Sequence, residues 1–456
     1  MLNNWLSKAI ALLYLVFSFQ TITAYKDTSY DLDEIFSFYY AKSIDSFHIP
    51  SLIDRDLGNP PLFFILLKPW IAIFTNEWSV RFLSFVFFSF SLVIFIKILE
   101  QLKIRRFSST IGIILLLGVY YKSPIINYLR PYTLLSLMTL ATVYLTFAAQ
   151  SGKLRFRWLL PLIVMAGFLT HYIYWLFYFF WVLVNFYQRK ETSTHIKYLL
   201  IGSMLVSPLI LHLFFREIIT PPDYVFHQKL GIWPGPSSWL YHLTKLKFIL
   251  GVPKVLSFFV WLVFLAKLTI LGARERVLKR KTIFLFTAIS WAIYLFSPLH
   301  DYLSHEKYLN FMVPILLMSF ILVIEPWLQR MGQLTRGILL IILIFWAFSL
   351  DSSSFYLTIP MNDNWRTATR EVSQVTNANI VTDCLNLPGL DYYLQREIKV
   401  YSFSKNDCDL PVIEAHYQKL LYIAEFELDQ QQYDNLYRLD RLSEHGYVKV
   451  GYLERK

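Results

Sequence analysis

The chain has 456 residues, of which 55% are hydrophobic, 18% aromatic and only 16% charged. A soluble domain carries about 25% charged residues, so much of this surface must face something other than water. The formal net charge of +11 does not mark a nucleic-acid binder, because the lysines and arginines sit in short loops between apolar runs rather than on one soluble face.

A helix needs about 20 apolar residues to cross the hydrocarbon layer. Such runs fall near residues 9–24, 78–96, 107–121, 129–149, 158–174, 175–188, 198–215, 254–271, 282–298, 308–325 and 337–350. They predict a polytopic α-helical membrane protein with about 11 transmembrane helices. The first run follows Lys8 and ends in Thr21-Ile22-Thr23-Ala24. It reads as a retained anchor or as a cleaved signal, and its length and the missing A-x-A site favour the anchor.

Residues 25–75 form the first external loop. It opens with Tyr30-Asp31-Leu32-Asp33-Glu34 directly after a membrane helix. Carboxylates beside a bilayer are either tied to a site or kept in water, so one of them can serve as a general base for a hydroxyl, or the loop is simply solvated. Further on, Gly58-Asn59-Pro60-Pro61-Leu62-Phe63-Phe64 carries two prolines whose fixed φ and missing N–H suit a helix start. The apolar stretch 60–75 is short and contains Lys68, Pro69 and Trp70. It is expected to lie on, or dip into, the outer membrane face, because a full crossing there would put the next basic cluster on the wrong side.

Basic residues gather after every second run, at 97–106, 153–157, 189–197, 274–281 and 330–336. The positive-inside rule then makes these loops and the N-terminus cytoplasmic and the C-terminus external. At the external end of the fourth run stands Arg130, in Asn127-Tyr128-Leu129-Arg130-Pro131-Tyr132. A guanidinium there either holds a phosphate through its fork or snorkels to lipid headgroups. His171, at the outer end of the fifth run, fits hydrogen-bonded packing better than catalysis.

Before the tenth run, residues 300–308 bring His300, Asp301, His305, Glu306, Lys307 and Tyr308 together. The four His, Asp and Glu side chains are the one candidate for a divalent metal, although the spacing matches no strong motif and no metal site is assigned. Lys307, at the helix entrance, fits a phosphate contact.

The tail changes composition. Apolar, β-rich stretches at 379–383, 398–403, 420–424 and 447–453 alternate with helical patterns at 364–376 and 429–444, predicting a small α/β domain. The chain therefore divides into a transmembrane module, residues 1–350, and an extracytoplasmic domain, residues 351–456. Cys384 and Cys408 both fall in that domain and are either one disulfide or two thiols.

Taken in order, these segments resemble the GT-C membrane glycosyltransferases, in particular the bacterial family 39-like group related to protein O-mannosyltransferases and the aminoarabinose transferase of lipid A. The resemblance rests on Asp33-Glu34 after the first helix, the Pro-Pro-Leu-aromatic helix start, and Glu77-Trp78-Ser79-Val80-Arg81-Phe82-Leu83-Ser84. It continues through Arg130 with Tyr132, Thr170-His171-Tyr172, Lys307-Tyr308 before the helix bearing Pro314, and Asn364-Trp365-Arg366. It covers nearly the whole chain.

The resemblance implies inverting transfer of a sugar from a polyprenyl-phosphate donor to a hydroxyl of a lipid, glycan or protein acceptor, at the outer face of a bacterial inner membrane. In it, Asp33 of the Asp33-Glu34 pair deprotonates the acceptor. Arg130, Lys307 and Tyr132 hold the donor phosphate, and His171, Asn59 and Tyr308 line the substrate site. At Asn59 relatives often carry His or Lys, and at Lys307 many carry Arg. No cofactor is expected, since the donor brings its own phosphate leaving group. A transporter or lipid flippase is the rival of another class, and a polysaccharide polymerase or ligase is a second enzymatic one; neither paired halves nor midplane charges favour the transporter.

Overall fold

A computed structural model describes residues 12–19, 30, 32–43, 60–121, 124–151, 158–188, 197–205, 207, 254–296, 310–349, 365–374, 379–382, 390, 392–394, 400–401, 419–425, 437–445 and 448–456. Residues 12–19 and 197–205 are helical; the first stretch falls inside the first expected crossing, and the second, but for residue 197, inside the seventh. Then come α1 (Leu32–Ser43), α2 (Leu62–Ile73), α3 (Glu77–Gln101), α4 (Arg106–Tyr121), α5 (Tyr132–Gln150), α6 (Leu159–Phe168) and α7 (Ile173–Tyr187). They are followed by α8 (Lys254–Arg274), α9 (Leu278–Phe296), α10 (Val313–Arg330), α11 (Gln333–Ser349) and α12 (Trp365–Gln374).

Among the described residues, α3, α5 and α10 are long and apolar enough to cross a bilayer. α3 runs for 25 residues, roughly 37 Å at 1.5 Å per residue, which exceeds a hydrocarbon core of about 30 Å. α2 has only 12 residues, or roughly 18 Å, shorter than a hydrocarbon core of about 30 Å. Its start is set by Pro61, with Leu62 N–H donating to Leu169 O at 2.8 Å. That bond ties α2 to the turn between α6 and α7, so His171 lies in a turn and not within a helix.

Close helix contacts are made by small residues and by hydroxyls bonding across the bundle. A Cβ on Gly118 would stand 2.9 Å from the Ala347 Cβ, so α4 and α11 meet where only glycine fits. Between α5 and α7, the hydroxyls of Thr142 and Tyr174 lie 2.6 Å apart, and Trp181 Nε1 donates to Thr146 Oγ1 at 3.1 Å.

Among the described residues, the basic stretches 97–106 and 274–281 share one end of the bundle with the end of α10. α3 stops in a Schellman turn, with Lys103 N–H on Glu100 O and Ile104 N–H on Leu99 O, which places Lys103 at a φ of 53°. Arg280 caps the freed carbonyls, its Nε donating to Leu102 O at 2.9 Å and its Nη2 to Lys103 O at 3.1 Å. Buried Glu325 of α10 accepts Arg105 N–H at 2.8 Å and pairs with Arg280 at 3.3 Å. Lys279 reaches Gln101 Oε1 and Ser151 Oγ at the same end.

At the opposite end sits a five-stranded sheet in the order β2-β1-β3-β5-β4, built from β1 (Asn379–Val381), β2 (Val400–Tyr401), β3 (Lys419–Glu425), β4 (Tyr437–His445) and β5 (Val448–Arg455). β1 is parallel to β2 and β3, while β3–β5 and β4–β5 are antiparallel. α12 packs on it through Glu371, which accepts Tyr452 Oη at 2.5 Å and Ser443 Oγ at 2.9 Å.

One expectation is corrected here. Residues 437–445 form a strand, where the sequence pattern suggested a helix over 429–444. The register shifts between Leu439 and Arg441, so Leu439 opposite Leu453 and Leu442 opposite Gly451 share a sheet face although three residues apart. A bulge inserts one residue into a strand, and the resulting three-residue spacing of leucines mimics a helical face.

Candidate functional site

The site is assembled around the first turn of α1. Glu34 is fully buried and is gripped at both oxygens by Arg81 of α3, Nε to Oε1 at 2.8 Å and Nη2 to Oε2. Its Oε1 also accepts Leu129 N–H at 2.9 Å. Two buried charges survive desolvation only with such geometry and further hydrogen bonds. The Tyr30 ring covers the guanidinium at 5.0 Å. From the other side, Ser84 Oγ donates to Tyr128 O at 2.7 Å. The segment 124–131 is thus pinned by α1 and α3 together.

The pinning delivers Tyr128 and Arg130 to Asp33. Tyr128 Oη donates to Asp33 Oδ2 at 2.9 Å. Arg130 Nη1 lies 3.4 Å from both Asp33 O and Ser37 Oγ, one turn along α1. Asp33 is only partly buried, whereas Glu34 is sealed. The two adjacent carboxylates therefore differ in setting: Glu34 is locked between α1 and α3, while Asp33 stays partly exposed with Arg130 against its backbone carbonyl.

Tyr132 is buried and stacks on Tyr128 with ring centroids 6.1 Å apart, and the His171 ring centroid lies 5.8 Å from that of Tyr132. His171 is buried and its Nδ1 accepts Ile173 N–H at 3.1 Å, which assigns the neutral ring's proton to Nε2. Asp33, Arg130, Tyr132 and His171, picked out from sequence, are brought into one neighbourhood. Asn59, Lys307 and Tyr308 lie outside the described residues, as do Cys384, Cys408 and the cluster from His300 to Glu306. Among the described residues no three His, Cys, Asp or Glu side chains converge on a metal-sized site.

The C-terminal segment closes on the same end. Tyr30 N–H donates to Tyr393 Oη at 2.6 Å, and Arg366 Nη2 pairs with Glu77 Oε1 at 2.9 Å. Burial, and after it the Glu77 carboxylate, pushes the Tyr393 hydroxyl well above the usual tyrosine range, so it stays neutral at physiological pH.

Two residues gained roles that sequence reasoning had not given them. Tyr128 was quoted only as part of a motif, and Arg81 only as part of the resemblance. An arginine inside a 25-residue apolar helix is costly in a membrane and signals a partner; that signal was legible, and Glu34 is the partner. Nothing local marks Tyr128 apart from the chain's other tyrosines.

Among solved structures, the chain is similar to ArnT from Cupriavidus metallidurans in the apo state, with a TM-score of 0.59, 10% sequence identity and 98% of each chain covered. It is equally similar to ArnT from Cupriavidus metallidurans bound to undecaprenyl phosphate, with a TM-score of 0.58, 10% identity and the same coverage. The chain thus shares its fold with these structures over nearly its whole length, and among the described residues three of its helices are long and apolar enough to cross a membrane. No protein-family model and no curated protein sequence matches the chain.

Proposed function

We propose that the protein is an inverting glycosyltransferase that moves a sugar from a polyprenyl-phosphate donor to an acceptor hydroxyl at the extracytoplasmic face of a bacterial inner membrane. The observation that carries the reading is Asp33, partly exposed and hydrogen-bonded by Tyr128, with the Arg130 guanidinium against the same turn of α1 through Asp33 O and Ser37 Oγ. The solved structure of a similar fold with undecaprenyl phosphate bound supports a lipid-phosphate donor.

Asp33 takes the acceptor's proton as its oxygen forms a bond to the sugar's anomeric carbon. The bond from that carbon to the phosphate oxygen breaks, and the electron pair leaves with the polyprenyl phosphate. A single displacement inverts the carbon and needs no nucleotide site. Cations aimed at the charge that develops on the leaving group lower the barrier. Arg130 supplies one, and Lys307 is proposed as the second, with Tyr132, His171, Asn59 and Tyr308 shaping the substrate site. Basic residues at the far end of the bundle support a cytoplasmic location for that end and the N-terminus, with residues 351–456 outside.

The test is transfer from a radiolabelled polyprenyl-phosphate sugar to an acceptor pool by the purified protein in nanodiscs. Sugar release dependent on Asp33 supports the reading. Movement of intact lipid across the bilayer without cleavage of the sugar–phosphate bond supports the transporter instead.

A further inference from the structure

A cavity lies apart from Asp33. A cleft of about 1030 Å³ opens between α1, the α2–α3 connection and the external domain, at the upper end of the roughly 300–1,000 Å³ of ligand pockets. Asp33 and Lys42 are nine positions apart on α1, which puts them roughly 180° apart around the helix and about 13 Å apart along it. The cleft is therefore on the opposite face of α1 from the carboxylate proposed to react.

Its walls are aromatic and cationic. Tyr392 meets Phe38 and Tyr39 edge-on, with centroids at 5.2 Å and 6.0 Å. Lys42 enters from α1 and Arg366 and Arg370 from α12, against one lining carboxylate, Glu77. Arg366 already neutralises Glu77 at 2.9 Å. Lys42 and Arg370 are exposed and have no counter-ion among the described residues. Among the described residues, one cation with no counter-ion thus stands on each wall, with packed rings between them. Aromatic faces suit the C–H faces of sugar rings, and a concave site of one charge sign concentrates ligands of the other.

We propose that this cleft binds an anionic saccharide, bearing phosphate or carboxylate, as the part of the acceptor distant from its reacting hydroxyl. The inference rests on the transferase reading for the word acceptor, and on the cleft alone for the ligand's chemistry. Lys42 and Arg370 flank the anion, Arg370 able to take it through its fork, while Tyr392, Phe38 and Tyr39 hold the ring.

The experiment measures binding of trehalose 6-phosphate and of neutral trehalose to the full-length protein in phosphatidylcholine nanodiscs, for wild type and for Lys42→Gln/Arg370→Gln. Both residues are exposed, so the variant should fold, and its binding of undecaprenyl phosphate serves as the check. Wild type is expected to prefer the phosphorylated sugar, and the double variant to lose about tenfold in affinity for it. Equal binding of trehalose, or an unchanged double variant, overturns the proposal. So does full competition by phosphatidylglycerol lipids, which would make the cleft a lipid-headgroup site. Loss of sugar transfer with intact saccharide binding sinks only the transferase reading; the converse sinks only the cleft.

Discussion

Glu34 and Arg81 face each other across 47 positions of sequence as a two-point ion pair buried from solvent. The pair locks α1 to α3 and, through Leu129 N–H, sets the segment that carries Tyr128 and Arg130. Removing one partner leaves an uncompensated buried charge, a cost of about 3–5 kcal/mol. Arg81→Ala and Glu34→Ala should therefore both fail to accumulate or unfold at much lower temperature, measured by thermal unfolding in detergent. Replacing both with apolar residues of similar volume should recover much of that stability, because the desolvation cost disappears along with the attraction.

Asp33→Asn keeps size and shape but removes the base. A positioned general base is worth about 10²- to 10⁴-fold in rate, so the variant should insert, bind donor lipid and transfer sugar very slowly. Glu34→Gln should instead show a folding defect. Near-normal turnover by the Asp33 variant, with the loss appearing in Asp31→Asn, would move the role to that neighbour.

Tyr128→Phe deletes the hydroxyl that donates to Asp33 Oδ2 and leaves the ring packed on Tyr132. A hydrogen bond to a charged group contributes about 1.5–3 kcal/mol. The variant should keep its fold and donor binding while the acid limb of its rate against pH moves upward, since the ionised carboxylate has lost a stabilising donor. An unmoved limb would show that Tyr128 only packs.

Arg130→Ala should weaken use of the lipid-phosphate donor strongly, and Arg130→Lys should restore part, as a point charge replaces the fork. Steady-state kinetics against donor concentration separate the two. Full activity of a well-folded Ala variant would reduce Arg130 to a contact with α1.

A reporter active only outside the cytoplasm should be active when fused after Lys456 and silent after Lys281. The contacts of Arg280 with Leu102, Lys103 and Glu325 put the Lys281 junction at the end of the bundle away from the sheet. Activity at both junctions would break the two-sided arrangement.

The sequence by itself determined the apolar runs, the helix start at Pro60-Pro61, the basic loops and four of the five strands, because each is written in local composition and period. It also singled out Asp33, Arg130, Tyr132 and His171, as polar residues at helix ends are conspicuous against an apolar background. Tertiary structure alone decided that Glu34 is sealed by Arg81 while Asp33 stays reachable, since neighbouring side chains on a helix point about 100° apart and burial depends on what α3 brings to each. It also revealed β4, whose bulge breaks the two-residue period that sequence reading relies on. The joining of Tyr30 to Tyr393, 363 positions away, has the same origin: no local pattern encodes a partner that only the packed chain brings near.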